Sequence, residues 1–238
     1  MRRFEIRKVA DAEAMAREAA ADMVRCIRAS RQGGTPLFSV ALSGGRVAAL
    51  FCRSIGLELV KAALPVSDIH FFWADERCVP PSDPESNFGL ANQALFIPRG
   101  IPGNQIHRIR GEGSPAIEAE RAGMELREVL GVPWVGFPIL DFVFLGMGED
   151  GHVASLFPDT PFQGGDRIYQ AVRATKPPPE RITLTYGMLI AAREVRVLIP
   201  GKAKTGALLK SINGDRTPLG RVISARRGTV IYTDIEGV

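Results

Sequence analysis

Short apolar runs separated by amphipathic stretches set the organisation of this chain. Leu37 to Leu42 (LFSVAL), Ile69 to Ala74 (IHFFWA), Leu140 to Leu145 (LDFVFL), Val195 to Ile199 (VRVLI) and Thr229 to Thr233 (TVIYT) have the length and the β-branched or aromatic content of buried strands. Phe4 to Val9, Ile106 to Ile109 and Tyr169 to Ala174 read as further short strands, and Arg181 to Thr185 (RITLT) alternates polar and apolar positions. Between them the period changes. Asp11 is placed to cap a helix in which Ala14, Met15, Ala19, Met23 and Ile27 recur at helical spacing as far as Gly33-Gly34. Helices are also predicted from about Val47 to Leu64, from Ser86-Asn87 through Phe96, and from Pro115 to Leu130, the last ended by Gly131 and Pro133. Gly187 to Ala192 and Lys202 to Ile212, with Lys204 in its first turn, complete the set. Strands alternating with helices predict an α/β fold, a three-layer sandwich around a mostly parallel, Rossmann-like central sheet. No repeat or linker marks a boundary, so residues 1–238 are expected to form a single domain.

The stretch from Leu140 to Pro158 (LDFVFLGMGEDGHVASLFP) concentrates the chemistry. An apolar strand stops at Gly146, and Gly148 and Gly151 force a turn in which backbone can approach a ligand closely. Inside that turn stand Glu149, Asp150 and His152, a carboxylate two residues from an imidazole at the end of a strand. Open α/β sheets bind ligands at that edge. The bland alternative is a loop whose polar side chains cap a following helix. The glycines also match the dinucleotide pattern G-x-G-x-x-G, with Asp166 at a suitable distance for a ribose contact. Pro158 halts the following helix too early for that, and Asp150 and His152 crowd a place where a diphosphate needs bare N–H donors.

Composition narrows the class of ligand. Lysines and arginines number 30 against 26 aspartates and glutamates, a net charge of +4 without any basic block interleaved with aromatics. Nucleic acid is therefore not an expected partner, and an anionic small molecule is. Cys26, Cys52 and Cys78 are far apart and form no C-x-x-C pair, so neither a disulfide framework nor a metal site is expected. A reducing cytoplasm suits them. No apolar run has the length of a membrane span, and no secretory leader is expected after Arg2-Arg3. His70 and His107 are assigned to packing or surface, and Trp73 to the core.

Other strand ends carry ligand-binding residue types as well. Ser43-Gly44-Gly45-Arg46 joins a strand to a helix and offers free N–H groups and a positive dipole end to an anion. Asp75-Glu76-Arg77 is either a strand end that serves a ligand or a solvated loop, and Gly201 to Lys204 follows Val195 to Ile199. In a parallel sheet these ends share one edge, hence one pocket.

The turn SGG, the segments DERCVPPSDPESNFGLA and LGMGEDGHVASLFP, and GKAKTGALL together resemble the 6-phosphogluconolactonase branch of the family related to glucosamine-6-phosphate isomerases and deaminases. The two middle segments are long and specific. The resemblance implies hydrolysis of 6-phospho-D-glucono-1,5-lactone to 6-phospho-D-gluconate, the second step of the oxidative pentose phosphate pathway, with no cofactor and no metal. It implies that His152 is the general base toward water, with Asp150 orienting the imidazole or the substrate. Arg77 and Lys204 would hold the 6-phosphate, Arg181 assisting. Asp75 would face sugar hydroxyls or the catalytic group, and Ser43, Gly44, Gly45 and Gly148 belong to the turns that lend backbone donors. The implied protein is a cytoplasmic monomer or weak homo-oligomer.

Two departures accompany the likeness. Arg46, Val47 and Ala48 follow the glycines where a hydroxyl residue and then Thr-Pro are usual, so Arg46 is expected to supply by charge what a hydroxyl supplies elsewhere. Asp159 stands after Pro158 where glycine is common. The alternatives are an isomerase/deaminase acting on glucosamine 6-phosphate and a sugar-phosphate binder without turnover. The first branch places a glutamate five residues after the histidine, and here that position is Phe157.

Overall fold

A computed structural model describes residues 3–35, 37–131, 136–160 and 165–238. Pro133, expected to end a helix, lies outside the described residues. In chain order the elements are β1 (Phe4–Lys8), α1 (Ala12–Gln32), β2 (Phe38–Leu42), α2 (Arg46–Lys61), β3 (Ile69–Trp73), β4 (Asp75–Arg77), α3 (Asn87–Ala91), α4 (Ile97–Arg99), α5 (Pro115–Leu130), β5 (Phe142–Gly146), β6 (Tyr169–Arg173), β7 (Glu180–Leu184), α6 (Tyr186–Ala191), β8 (Glu194–Ile199), α7 (Thr205–Ile212), α8 (Pro218–Ala225) and β9 (Thr229–Thr233). A π-helical turn, Asn92–Phe96, joins α3 to α4, and 3-10 turns occur at Gly103–Gln105 and Lys202–Lys204.

Six strands form a wholly parallel sheet in the order β1-β9-β8-β5-β2-β3. The predicted parallel α/β sandwich is thus the observed one. α1 and α2 pack together, as do α6, α7 and α8, and the right-handed rule for parallel crossovers assigns the two groups to opposite faces of the sheet. The chain leaves β2 toward β3 and leaves its neighbour β5 toward β8, in opposite directions across the sheet. Such a reversal opens a crevice at the carboxyl ends of both strands.

The packing explains the apolar runs. Phe51 of α2 stacks on Phe144 and Phe142 of β5, with ring centroids 4.3 and 6.4 Å apart. Asp141, the one acid in that run, is buried because Oδ2 accepts from both the N–H (2.9 Å) and the Oγ (2.8 Å) of Ser39. It ties the start of β5 to β2.

One open alternative is decided and two expectations are corrected. Asp75-Glu76-Arg77 is no solvated loop: it is β4, in a second, antiparallel sheet ordered β4-β7-β6. Ile106 to Ile109 contributes a single bridge, Phe71 to Ile106, instead of a strand. The Arg110 N–H donates to Glu118 Oε1 and leaves the ladder. No helix follows Gly151. Bridges Met147–Val153 and Val153–Leu156 fold the segment on itself, and the N–H groups of Ser155 and Phe157 donate to the hydroxyls of Thr183 and Thr160 instead of to a helical carbonyl. The sequence reading passed over α8, although Thr217-Pro218 carries its signal. Thr217 Oγ1 caps the Gly220 N–H, with proline at the first helical position.

Candidate active site

The ends of β2, β5 and β8, together with β4 and β7, border an open cavity of ≈ 580 Å³. Ser43, Gly44, Gly45, Arg46, Asp75, Arg77, Gly148, His152, Arg181 and Lys204 all line it. Asp150 stands beside the imidazole instead of in the lining. Glu149 and Lys202, which lie within the two segments expected at this edge but were given no role, line it too, and so does Asp234, for which the sequence carried no signal.

His152 Nδ1 lies 2.6 Å from Asp150 Oδ1, and the His152 N–H donates to the same oxygen at 3.1 Å. With the carboxylate as acceptor, Nδ1 carries the proton and Nε2 keeps its lone pair. Burial works against the Asp150 carboxylate, but the His152 N–H and imidazole outweigh it and hold the acid below its ordinary pKa. Gly148 is required here. A Cβ at that position would fall against the imidazole of His152 and close to Asp150 Oδ1. Its N–H donates to the His152 carbonyl at 2.9 Å and is therefore spent on shaping the loop.

The cations fall into two pairs. Arg46, at the first position of α2, bears on Lys204, whose pKa is lowered by burial and then by Arg46, with Glu149 and Asp234 opposing. Of the residues that depart from the usual pattern, Ala48 is fully buried in the core, whereas Val47, also buried, lines the cavity. In the second pair, Arg181 is lowered by burial and then by Arg77. Arg77 Nη1 donates to the Glu85 carbonyl (2.6 Å) and to Glu85 Oε2 (3.1 Å). The Arg181 guanidinium lies over Phe157, whose ring in turn packs 5.0 Å from the His152 ring.

Glu76 holds this wall in shape. It is 2 % exposed and accepts from the N–H groups of Arg77 (2.8 Å), Asn87 (2.7 Å) and Phe88 (2.7 Å) and from Ser86 Oγ (3.2 Å). A side chain from β4 thereby caps α3. Burial pushes its carboxyl up to about 7, against the pull of the three backbone donors. Glu76→Ala strands those donors and is expected to cost about 1–3 kcal/mol or more of stability, read from the urea midpoint.

His70 and His107 do lie apart from the cavity lining, but an acid is at hand that the sequence neighbourhood did not show. Nδ1 of His70 is 2.9 Å from Nε2 of His107, whose own Nδ1 is 3.0 Å from Glu125 Oε1. Trp73 is fully buried, as expected. A dinucleotide reading of the glycines fails with the missing helix, which alone would offer N–H donors to a pyrophosphate. Among the described residues no group of acids, histidines and cysteines has the arrangement of a metal site, and no helix is long and apolar enough to cross a membrane.

The chain is similar to several known proteins in sequence and in fold. The 6-phosphogluconolactonase of Haemophilus influenzae is 34% identical over 71% of this chain and 71% of its own. A solved 6-phosphogluconolactonase from Trypanosoma cruzi superposes with a TM-score of 0.84 at 28% identity, covering 96% of this chain and 94% of that one. A monomeric glucosamine-6-phosphate deaminase, 19% identical, shares the fold at a TM-score of 0.79 over 96% and 97% of the two chains, so the fold alone does not separate the branches. A family model described as glucosamine-6-phosphate isomerases/6-phosphogluconolactonase matches residues 10–232, and the chain belongs to that family.

Proposed function

We propose that this chain is a 6-phosphogluconolactonase, one domain over residues 1–238, that opens 6-phospho-D-glucono-1,5-lactone to 6-phosphogluconate. The observation that carries the reading is an imidazole with its Nδ1 held by Asp150 and its Nε2 left basic, in the same cavity as the Arg46–Lys204 pair. His152 Nε2 takes a proton from water as the oxygen attacks C1. The tetrahedral intermediate collapses with cleavage of the bond from C1 to the ring oxygen, which receives the proton and becomes the C5 hydroxyl. The new carboxylic acid then ionises. A positioned base of this kind contributes about 10²- to 10⁴-fold.

The phosphate sits at the N-terminus of α2. There the N–H groups of Gly44 and Gly45 have no acceptor among the described residues, and Arg46 and Lys204 add charge. Arg77 and Arg181 extend the cationic wall. Because the phosphate is remote from C1, its binding energy serves to orient the reacting carbon. The mild positive excess and the three free cysteines fit a cytoplasmic enzyme with an anionic substrate, and we take it as a monomer or weak homo-oligomer with no nucleic-acid partner.

Phe157 favours this branch over the deaminase. A phenyl ring packed on the imidazole cannot supply the ring-opening carboxylate which that chemistry places there. The test is a pH-stat assay with freshly generated phosphorylated lactone, read against its spontaneous opening. Proton release above the blank is expected. Ammonia release from glucosamine 6-phosphate, or binding without turnover, would refute the proposal.

Asp150→Asn is expected to lower kcat about 10- to 100-fold with little change in KM. An amide nitrogen turned toward Nδ1 forces the unproductive tautomer. The loss stays below the ~10⁴ seen for a buried carboxylate–imidazole pair because Asp150 is half exposed and its amide can rotate back.

A further inference from the structure

Asp75 borders the cavity, yet it is 4 % exposed and both of its carboxylate oxygens are engaged. Oδ1 accepts from Ser43 Oγ at 2.8 Å, and Oδ2 accepts from Ser155 Oγ at 2.8 Å. Asn87 Nδ2 donates to the Asp75 carbonyl at 2.8 Å, and its side chain lies so close to Gly44 that any Cβ there would collide with it. Ser43 opens the turn at the N-terminus of α2. Ser155 lies three residues beyond His152, is fully buried, and is anchored through its N–H to Thr183 Oγ1 on β7.

One carboxylate thus spans the turn after β2 and the loop after β5. The ladder between those strands ends at Ala41–Val143, short of both segments, so no rung of that ladder ties the two together. A carboxylate has lone pairs to spare for a sugar, but this one has almost no surface through which to offer them.

We propose that Asp75 and Ser155 are positioning residues, a buried spacer that sets the separation between the phosphate turn and His152. The inference rests on the lactonase reading. Its consequence is selective. A ligand anchored by its phosphate reaches the imidazole in the right place only if the two segments keep their separation. An ångström of misplacement can cost about 10²-fold in rate. A lactone without phosphate uses the His152 end alone and has no second anchor to be misaligned.

The test measures kcat and KM for the phosphorylated lactone, kcat/KM for unphosphorylated D-glucono-1,5-lactone at high enzyme concentration, and Ki for inorganic phosphate. Ser155→Ala is expected to lower kcat for the phosphorylated substrate about 10- to 100-fold. KM and the phosphate Ki should stay within about 2-fold, and the unphosphorylated lactone should lose less than about 3-fold. Ser155→Cys, which keeps the volume with a weaker donor, should move the same way by less and serves if the alanine variant does not fold. Asp75→Asn, whose amide donates to one hydroxyl and accepts from the other, should lower kcat for the phosphorylated lactone by less than Ser155→Ala does and leave the pH profile unaltered. Equal losses for both lactones, or an Asp75→Asn variant that is inactive on both with a changed pH profile, would overturn the spacer and leave the lactonase reading standing. If the unmodified protein does not turn over the phosphorylated lactone, both fall.

Discussion

His152→Ala is expected to lower kcat for the phosphorylated lactone by about 10²- to 10⁴-fold and to leave the affinity for inorganic phosphate within about 2-fold. The imidazole lines the cavity with Nδ1 committed to Asp150, which leaves Nε2 as the nitrogen that can accept a proton. Asp75, the buried acid of the lining, has both oxygens accepting from serine hydroxyls, and Glu149 has, among the described residues, no histidine or other side chain set to relay its proton in the way Asp150 serves His152. Neither replaces the base. Removal of the ring also takes away the partner of the Phe157 ring, so thermal unfolding has to be measured alongside. A properly folded variant that keeps more than a tenth of the rate would mean that water is activated elsewhere. A variant that loses phosphate affinity as well would mean that His152 organises the cavity instead of acting on water. Initial rates corrected for spontaneous ring opening, with phosphate as competitive inhibitor, distinguish these results.

The parallel sheet and the gathering of site residues were legible because both follow from local pattern. A run such as Leu140 to Leu145 reports its burial directly, and consecutive parallel strands put their carboxyl ends on one edge whatever the details of the helices. Side-chain bonds between distant positions leave no such mark. Asp75 finds Ser43 and Ser155 at separations of 32 and 80 residues, and His107 finds Glu125 eighteen residues on, so neither arrangement has a periodicity to betray it. The loop after Gly151 was misread as leading into a helix for a related reason. Pro158 disfavours helical backbone at Phe157, Ala154 takes a positive φ of 50°, and the hydroxyls of Thr183 and Thr160, distant or downstream, take up N–H groups that a helix would need. Ile106 to Ile109 shows the converse. Its apolar residues suggested a strand, but only Ile106 bridges Phe71, and by Arg110 the backbone N–H donates to Glu118 Oε1 instead of to a strand.

Lys204→Ala is expected to raise KM for the phosphorylated lactone about 10- to 100-fold, the equivalent of a charge-assisted hydrogen bond worth roughly 1.5–3 kcal/mol. The ammonium sits at the entry to α7, held there by the turn that begins at Gly201, whose N–H donates to Asp234 Oδ1 at 2.8 Å. Burial and Arg46 both press it toward the neutral amine, and a bound phosphate dianion relieves that pressure, so ligand binding and protonation of Lys204 are linked. The sign follows. Below the lowered pKa the lysine is charged and phosphate is held. As pH rises through it, the charge is lost and KM climbs, at a lower pH than an ordinary lysine would allow. Lys204→Arg supplies the control, since a guanidinium stays charged throughout and should abolish the alkaline rise in KM even if its geometry fits the phosphate less well. A KM unchanged in Lys204→Ala would remove this residue from the site and leave Arg46, Arg77 and Arg181 to hold the anion. An alkaline rise that persists in Lys204→Arg would assign the titration to another group.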